Sequence, residues 1–460
     1  MLKDLTTLLK IKSVPGTPAK GAPFGNAMRK TLTWFLEKAE DYGLSVHDMD
    51  GYCGWAEYGD GKDMFGILCH LDVVPAGKNA WTFPPYKLTE ANGYLYGRGV
   101  VDNKGPAIIM LHVLKKLCDN GIKLKHRVRL IAGCNEETGS ACLKHYAQYG
   151  EIPKFSIVPD ADFPVIYSEK GILHLSVRLP VSHVFSKNIS ALQFGERANV
   201  IPDLAKVSLI GGSDLCRNIL DATKNRELMT VLAEENFSAE VTMREGGTSV
   251  ELETRGVAGH AMAPEKADNA AWKLFAVLAK HTEKLNVPEI AAVYKFFCSP
   301  QSKAQLGIDY ADENSGELTL SMGAGEYIAG NGDGYLSLTL DIRLPLCADK
   351  DAVISAIQKK LGKSAKIEII HYAPNLYIDP KSQLIQTLLK VYETAANERA
   401  APVKTGGGTY ARTLPNAAAF GPTFPGTETD IHNANERISM HQFTRLFKIY
   451  YDAVLELDKI

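Results

Sequence analysis

The sequence predicts an α/β fold interrupted by an inserted α+β domain, and three features predict it. Between residues 1 and 168, apolar runs of strand length alternate with helical stretches and end in turns rich in carboxylates. From about 169 apolar and polar residues alternate, as they do in half-exposed antiparallel strands. From about 380 to 460 the first texture returns. The expected organisation is a mostly parallel-sheet domain with helices on both faces, made of 1–168 and 380–460, with an α+β domain, 169–379, inserted into it.

Taken in order, 27–43 (AMRKTLTWFLEKAEDYG) is a helix ending near Gly43, and 64–74 (MFGILCHLDVV) is a buried strand. GPAIIMLHVLKKLCDNG is a second helix, with Pro106 in its first turn and Asn120–Gly121 as its stop. HRVRLIAGCNEETG is a strand running into an acidic turn, and KFSIVPDADFP repeats that scheme. In the insertion, GILHLSVRLPV, KVSLIGG, SVELETRGVAG, GELTLSMGAG and GYLSLTLDIRLP read as strands. Helices over about 265–284 and 350–361 interleave with them. After YIDPKSQLIQTLLKVYETAAN the α/β texture returns, with the glycine-rich loop KTGGGTYAR and a final helix from about 441.

The composition narrows the function. With 45% hydrophobic and 23% charged residues and a formal net charge of −2, nothing favours nucleic acid or an anionic membrane. No 18-residue apolar run is present, and MLKDLTTLLKIKSVPG lacks the apolar core of a signal peptide. The eight cysteines are scattered, with no C-x-x-C pair. A reduced, cytoplasmic protein is the expectation.

His70 and Asp72 sit two apart at the end of a core strand and so point the same way. Taken alone, the pair reads equally well as a core histidine steadied by an aspartate. Asp102, Glu136 and Glu137, Asp160 and Asp162, and Asp430 with His432 also fall at strand ends. Singly each has an ordinary reading, as a helix cap or a solvated turn. Together they crowd one edge of one sheet with like charges, which only cations hold there. Imidazole and carboxylate without a cysteine cluster suit zinc, manganese or cobalt. Two ions sharing one carboxylate fit the count.

The stretches HLDVVPAG, W-TFPPYKL, GYLYGRGVVDNKGP, NEETGS, PDADFPVIYSEKG, GHAMAPEKADNA, DIRLP, GGGTYAR and FPGTETDIHNANE run in order from residue 70 to 436. Through them the chain resembles the aminoacylase/carboxypeptidase-G-type metallopeptidases, most closely the PepV-like dipeptidases. The resemblance implies a dinuclear metal hydrolase whose inserted domain is a lid. It implies Asp102 as the bridging ligand, His70 and Asp160 at one ion, and Glu137 and His432 at the other, with zinc as the ion and manganese or cobalt as alternatives. Asp72 would take the far N–H of His70. Glu136 would be the general base toward a water held between the ions, and a cis peptide would follow Asp102.

From the insertion, His260 would assist at the carbonyl oxygen. Asn199, Arg343 and the N–H of Gly407 would hold the substrate's carboxylate. On spacing alone Arg343 reads as a strand-end surface arginine, and His260 is ambiguous. Asn103 stands where the family often has a second acid, a change expected to remove one charge and little else. The implied function is hydrolysis of dipeptides or short peptides with free termini, with deacylation of N-acyl amino acids or desuccinylation as the alternative. The long insertion favours a monomer over a dimer.

Overall fold

The computed structural model describes residues 1–77, 80–224, 241–246, 249–330 and 334–460 of the chain. Its backbone divides into two compact units, Met1–Glu169 with Leu376–Ile460, and Lys170–Asn375. The return to the first unit begins before residue 380, because Leu376–Tyr377 pairs antiparallel with Ile166–Glu169.

The first unit is built on a mixed nine-stranded sheet. Arg127–Gly133, Met64–His70, Ser156–Val158 and Ala417–Ala419 run parallel at its centre. Cys53–Tyr58 and Ser45–Met49 continue it antiparallel on one side, and Ile166–Glu169 and Leu376–Tyr377 on the other. Strand alternation sends successive side chains to opposite faces. Phe65, Ile67 and Cys69 accordingly join a core with the helices Asn26–Asp41, Lys104–Asp119, Gln383–Ala396 and Met440–Leu457. Leu68 and Ile131 pack on the other face against the helix Ala141–Tyr149. The parallel centre is buried from both sides, which is why its strands read as unbroken apolar runs.

The second unit is an eight-stranded antiparallel sheet. Along Gly171–Pro180, Leu173, Leu175, Val177 and Leu179 face a core that includes Leu274, Phe275 and Leu278 of the helix Ala270–Thr282. That helix begins later than the expected 265, because Asn269 caps it by accepting the N–H groups of Ala271 and Trp272 at 3.0 and 3.3 Å. The helix Lys350–Leu361 has the expected bounds.

Candidate metal centre

In open α/β sheets sites form beyond the carboxyl ends of parallel strands. The first unit follows that rule. His70 ends the strand Met64–His70, Glu136 and Glu137 follow Arg127–Gly133, and Asp160 follows Ser156–Val158. Asp102 precedes the helix Lys104–Asp119, and its peptide bond to Asn103 is cis. Gly105 is required in that tight entry: a Cβ there would lie 2.0 Å from the Val100 carbonyl oxygen.

The two oxygens of Asp102 face different histidines. His70 Nε2 lies 2.8 Å from Oδ1, and His432 Nε2 lies 2.9 Å from Oδ2. His70 Nε2 is also 3.4 Å from Asp160 Oδ2, and His432 Nε2 is 3.1 Å from Glu137 Oε2. Side-chain atoms of His70, Glu136 and Asp160 fall within 4.8 Å of one another, as do those of His70, Asp102 and Glu137.

Asp72 behaves differently from the expectation. Its carboxylate lies 3.5 Å from His70 Nδ1, while its backbone carbonyl accepts from that nitrogen at 2.9 Å. The carboxylate instead accepts the backbone N–H of Glu136 at 3.0 Å and of Glu137 at 3.1 Å. The buried acid holds the acidic turn, and its main chain fixes the imidazole. Asn103 does more than lower the charge. Its Nδ2 donates to Asp160 Oδ1 at 3.0 Å and to the Pro159 carbonyl at 2.6 Å, and its Oδ1 accepts the His70 N–H at 3.3 Å.

Burial works against every charge here. It pushes Glu136 well above the usual carboxylate range, with Asp160 and Glu137 adding to it. Burial, with Asp102 beside it, brings Glu137 up to about 7. Burial raises Asp160 to about 6, His70 opposing and Asp102 reinforcing. Burial also disfavours charge on the two histidines, but the carboxylates outweigh it. His432 rises to about 11 through Asp102 and Glu137, and His70 rises through Asp160 and Asp102. Asp102 itself is held low by the histidines against its burial.

The donors fit a divalent cation. Glu137 Oε1 is buried without a hydrogen bond, and His70 Nε2, equally buried, faces the carboxylates of Asp102 and Asp160. An unpartnered carboxylate oxygen among imidazoles and further carboxylates suits a cation, and hard oxygen with imidazole nitrogen is the donor set of zinc or manganese.

The sequence profile of Peptidase family M20/M25/M40 matches residues 66–456. The chain belongs to that family. Its members are metal-dependent hydrolases. This M20/M25/M40 peptidase is 34% identical over 475 residues to the "Putative dipeptidase YtjP" of Bacillus subtilis, covering 100% of this chain and 97% of that one. It shares its fold with an M20 family metallo-carboxypeptidase of Sulfolobus solfataricus at TM-score 0.60 and 16% identity, covering 100% and 99% of the two chains. The same holds for the dipeptidase Dug1p of Saccharomyces cerevisiae at TM-score 0.59 and 15% identity, covering 100% and 96%. No helix among the described residues is long and apolar enough to cross a membrane.

In the peptidase's second unit, Asn199 and His260 come together. Val200–Ile201 pairs with Gly259–His260, and the Ala261 N–H donates to the Asn199 carbonyl at 3.0 Å. His260 Nδ1 accepts the Met262 N–H at 3.1 Å, which in a neutral ring leaves the proton on Nε2. Arg343 lies on the large sheet opposite Ile172 and Thr319. It is buried rather than superficial and forks onto Asp341 at 2.6 and 2.7 Å. Gly407, back in the first unit, already donates its N–H to Thr405 Oγ1 at 3.1 Å. The glycine loop is held by Glu169, which accepts Thr409 Oγ1 at 2.7 Å and Arg412 Nε at 3.0 Å. Residue reading overlooked Glu169, Arg98 and Glu436, and saw in Asn103 only a missing charge. All four lie inside the stretches that carry the family resemblance, where Arg98 between Gly97 and Gly99 and Asn103 beside Asp102 were the readable signals.

Proposed function

We propose that this protein hydrolyses the peptide bond of dipeptides or short peptides with free termini. The observation that carries the reading is Asp102, whose two oxygens stand 2.8 and 2.9 Å from two different histidines, the position of a carboxylate shared by two ions. His70 and Asp160 would hold one ion, and Glu137 and His432 the other. The similarity over the full chain to a protein named as a dipeptidase supports the substrate class.

Divalent ions, when bound, supply Lewis-acid polarisation and ease deprotonation of water near neutral pH. The remaining work falls to the chain. Glu136 takes a proton from the attacking water as its oxygen bonds to the carbonyl carbon, and delivers that proton to the amine nitrogen as the C–N bond breaks. Asp72 holds Glu136 at the right height by gripping its backbone N–H. In the same reading His260 donates from Nε2 to the carbonyl oxygen as it becomes anionic. Asn199, Arg343 and the glycine loop at Gly407 receive the substrate's terminal carboxylate.

A panel of free dipeptides and N-acetyl or N-succinyl amino acids, assayed with zinc, manganese and cobalt, tests the reading. Turnover of dipeptides at least tenfold above the N-acyl compounds is expected. The reverse order would replace the proposal with deacylation.

A further inference from the structure

Glu436 has no place among the ligands or bases, yet it is wholly buried beside them. Its Oε1 accepts the N–H groups of Val101 at 2.9 Å and Asp102 at 3.2 Å, and both oxygens face the Gly99 N–H at 3.1 and 3.0 Å. Oε2 pairs with Arg98 Nη1 at 2.8 Å, and Arg98 is equally buried. The other arm of Arg98 donates to the Asn433 carbonyl at 3.1 Å, one residue beyond His432.

The neighbouring motif joins in. Arg98 lies 5.2 Å over the Trp81 ring and gives its N–H to the Pro85 carbonyl at 2.8 Å, while Thr82 donates to Asn435 Oδ1 at 2.8 Å. The loop so held is strained. Asp430, His432 and Asn435 are left-handed, at φ 52, 65 and 63. Such conformations persist only where surrounding contacts over-determine them.

We propose that Glu436 and Arg98 are positioning residues for the metal centre. Their ion pair ties the loop bearing His432 to the loop bearing Asp102, so that both ligands stand in their binding arrangement before an ion arrives. A carboxylate is needed because three N–H groups and a guanidinium converge on it; an amide presents one acceptor and adds a clashing donor. The inference rests on the two-ion reading above.

The test begins with wild-type protein stripped by chelator and titrated with Zn2+. Binding of two ions is expected, and binding of none defeats the two-ion reading itself. In Glu436→Gln the dissociation constants are expected to rise about 10- to 100-fold, as loss of partners that orient ligands does elsewhere. Should that variant fail to fold, Arg98→Met/Glu436→Gln, which leaves no buried charge unpaired, is titrated in its place. Affinity within about threefold of wild type in either folded variant overturns the inference. Hydrogen exchange on the stripped wild-type protein gives an independent reading. The amides of Gly99, Val101 and Asp102 are expected to be protected before any Zn2+ is added, and free exchange until Zn2+ is added also overturns it.

Discussion

The Asn103 side-chain amide donates to Asp160 Oδ1 at 3.0 Å, leaving Oδ2 as the oxygen that faces His70. A second acid at position 103 could not make that bond, since an ionised carboxylate only accepts. Asn103→Leu keeps the approximate volume and removes the bonds to Asp160, Pro159 and His70. Zn2+ affinity is expected to fall about tenfold. A competition titration against a chromophoric chelator reads it, and unchanged affinity would mean that Asp160 needs no such guide.

Glu136 is assigned the proton transfers and no metal bond. Glu136→Ala should bind both ions and lose about two to four orders of magnitude in kcat. A variant that keeps more than about a tenth of wild-type turnover removes Glu136 from the mechanism.

Asp72 accepts two N–H groups from the acidic turn. Asp72→Asn turns one acceptor into a donor against a backbone donor, at a cost of about 1.5–3 kcal/mol in stability. Because both Glu136 and Glu137 hang from that turn, kcat and metal affinity should fall together. Loss of stability with normal kcat would confine Asp72 to the fold.

The stability of chelated protein should fall as pH rises from 6 to 9. His432 has a folded value of about 11, above its unfolded value, so its stabilisation is complete below about 6.5 and drains away as pH climbs toward 11. Glu137, raised to about 7, acts in the same sense between its unfolded value and 7. Ions compete with protons for these groups, so the shift in Tm that Zn2+ produces should widen with pH. Thermal scans with and without chelator at pH 6, 7.5 and 9 measure it. A gap that narrows with pH refutes the assignment of these groups as ligands.

Gly408 admits no side chain, because a Cβ would meet Arg412 Nη2 at 2.0 Å. Arg412 is pinned to Glu169 and to the Gly407 carbonyl and has little room to yield. Gly408→Ala should therefore raise KM for dipeptides several-fold with a smaller change in kcat, and steady-state kinetics separates the two. An unchanged KM would detach this loop from substrate.

The sequence showed most plainly what strand burial and ligand chemistry dictate. Apolar runs such as 64–70 announced the parallel centre, and carboxylates at their ends announced the site. The edge strands Ser45–Met49 and Lys366–Ala373, and Cys53–Tyr58 next to the first of them, were less legible. Lys366–Ala373 pairs on one side only and leaves Ile369 and Ile370 exposed, so no apolar alternation marks a buried face. The helix Asp214–Lys224 likewise sits beside polar sequence that masks its apolar stripe. Within the site, residue types could not reveal that Asp72 serves two backbone amides. Hydrogen bonds to main chain leave no mark in the identity of the donor residue. Arg343 was misread by spacing because its burial depends on Asp341, two residues away on the same strand face.

The first unit is assembled from segments separated by the whole of the second. A ribosome adding about 5–20 residues each second reaches His432 some tens of seconds after His70. Through that interval the nascent chain carries its early acids without the second histidine or the Glu436 anchor. On the proposed two-ion assignment, competence to hold both ions is deferred until the inserted unit has been made, which gives translation itself a timer on when the centre is completed.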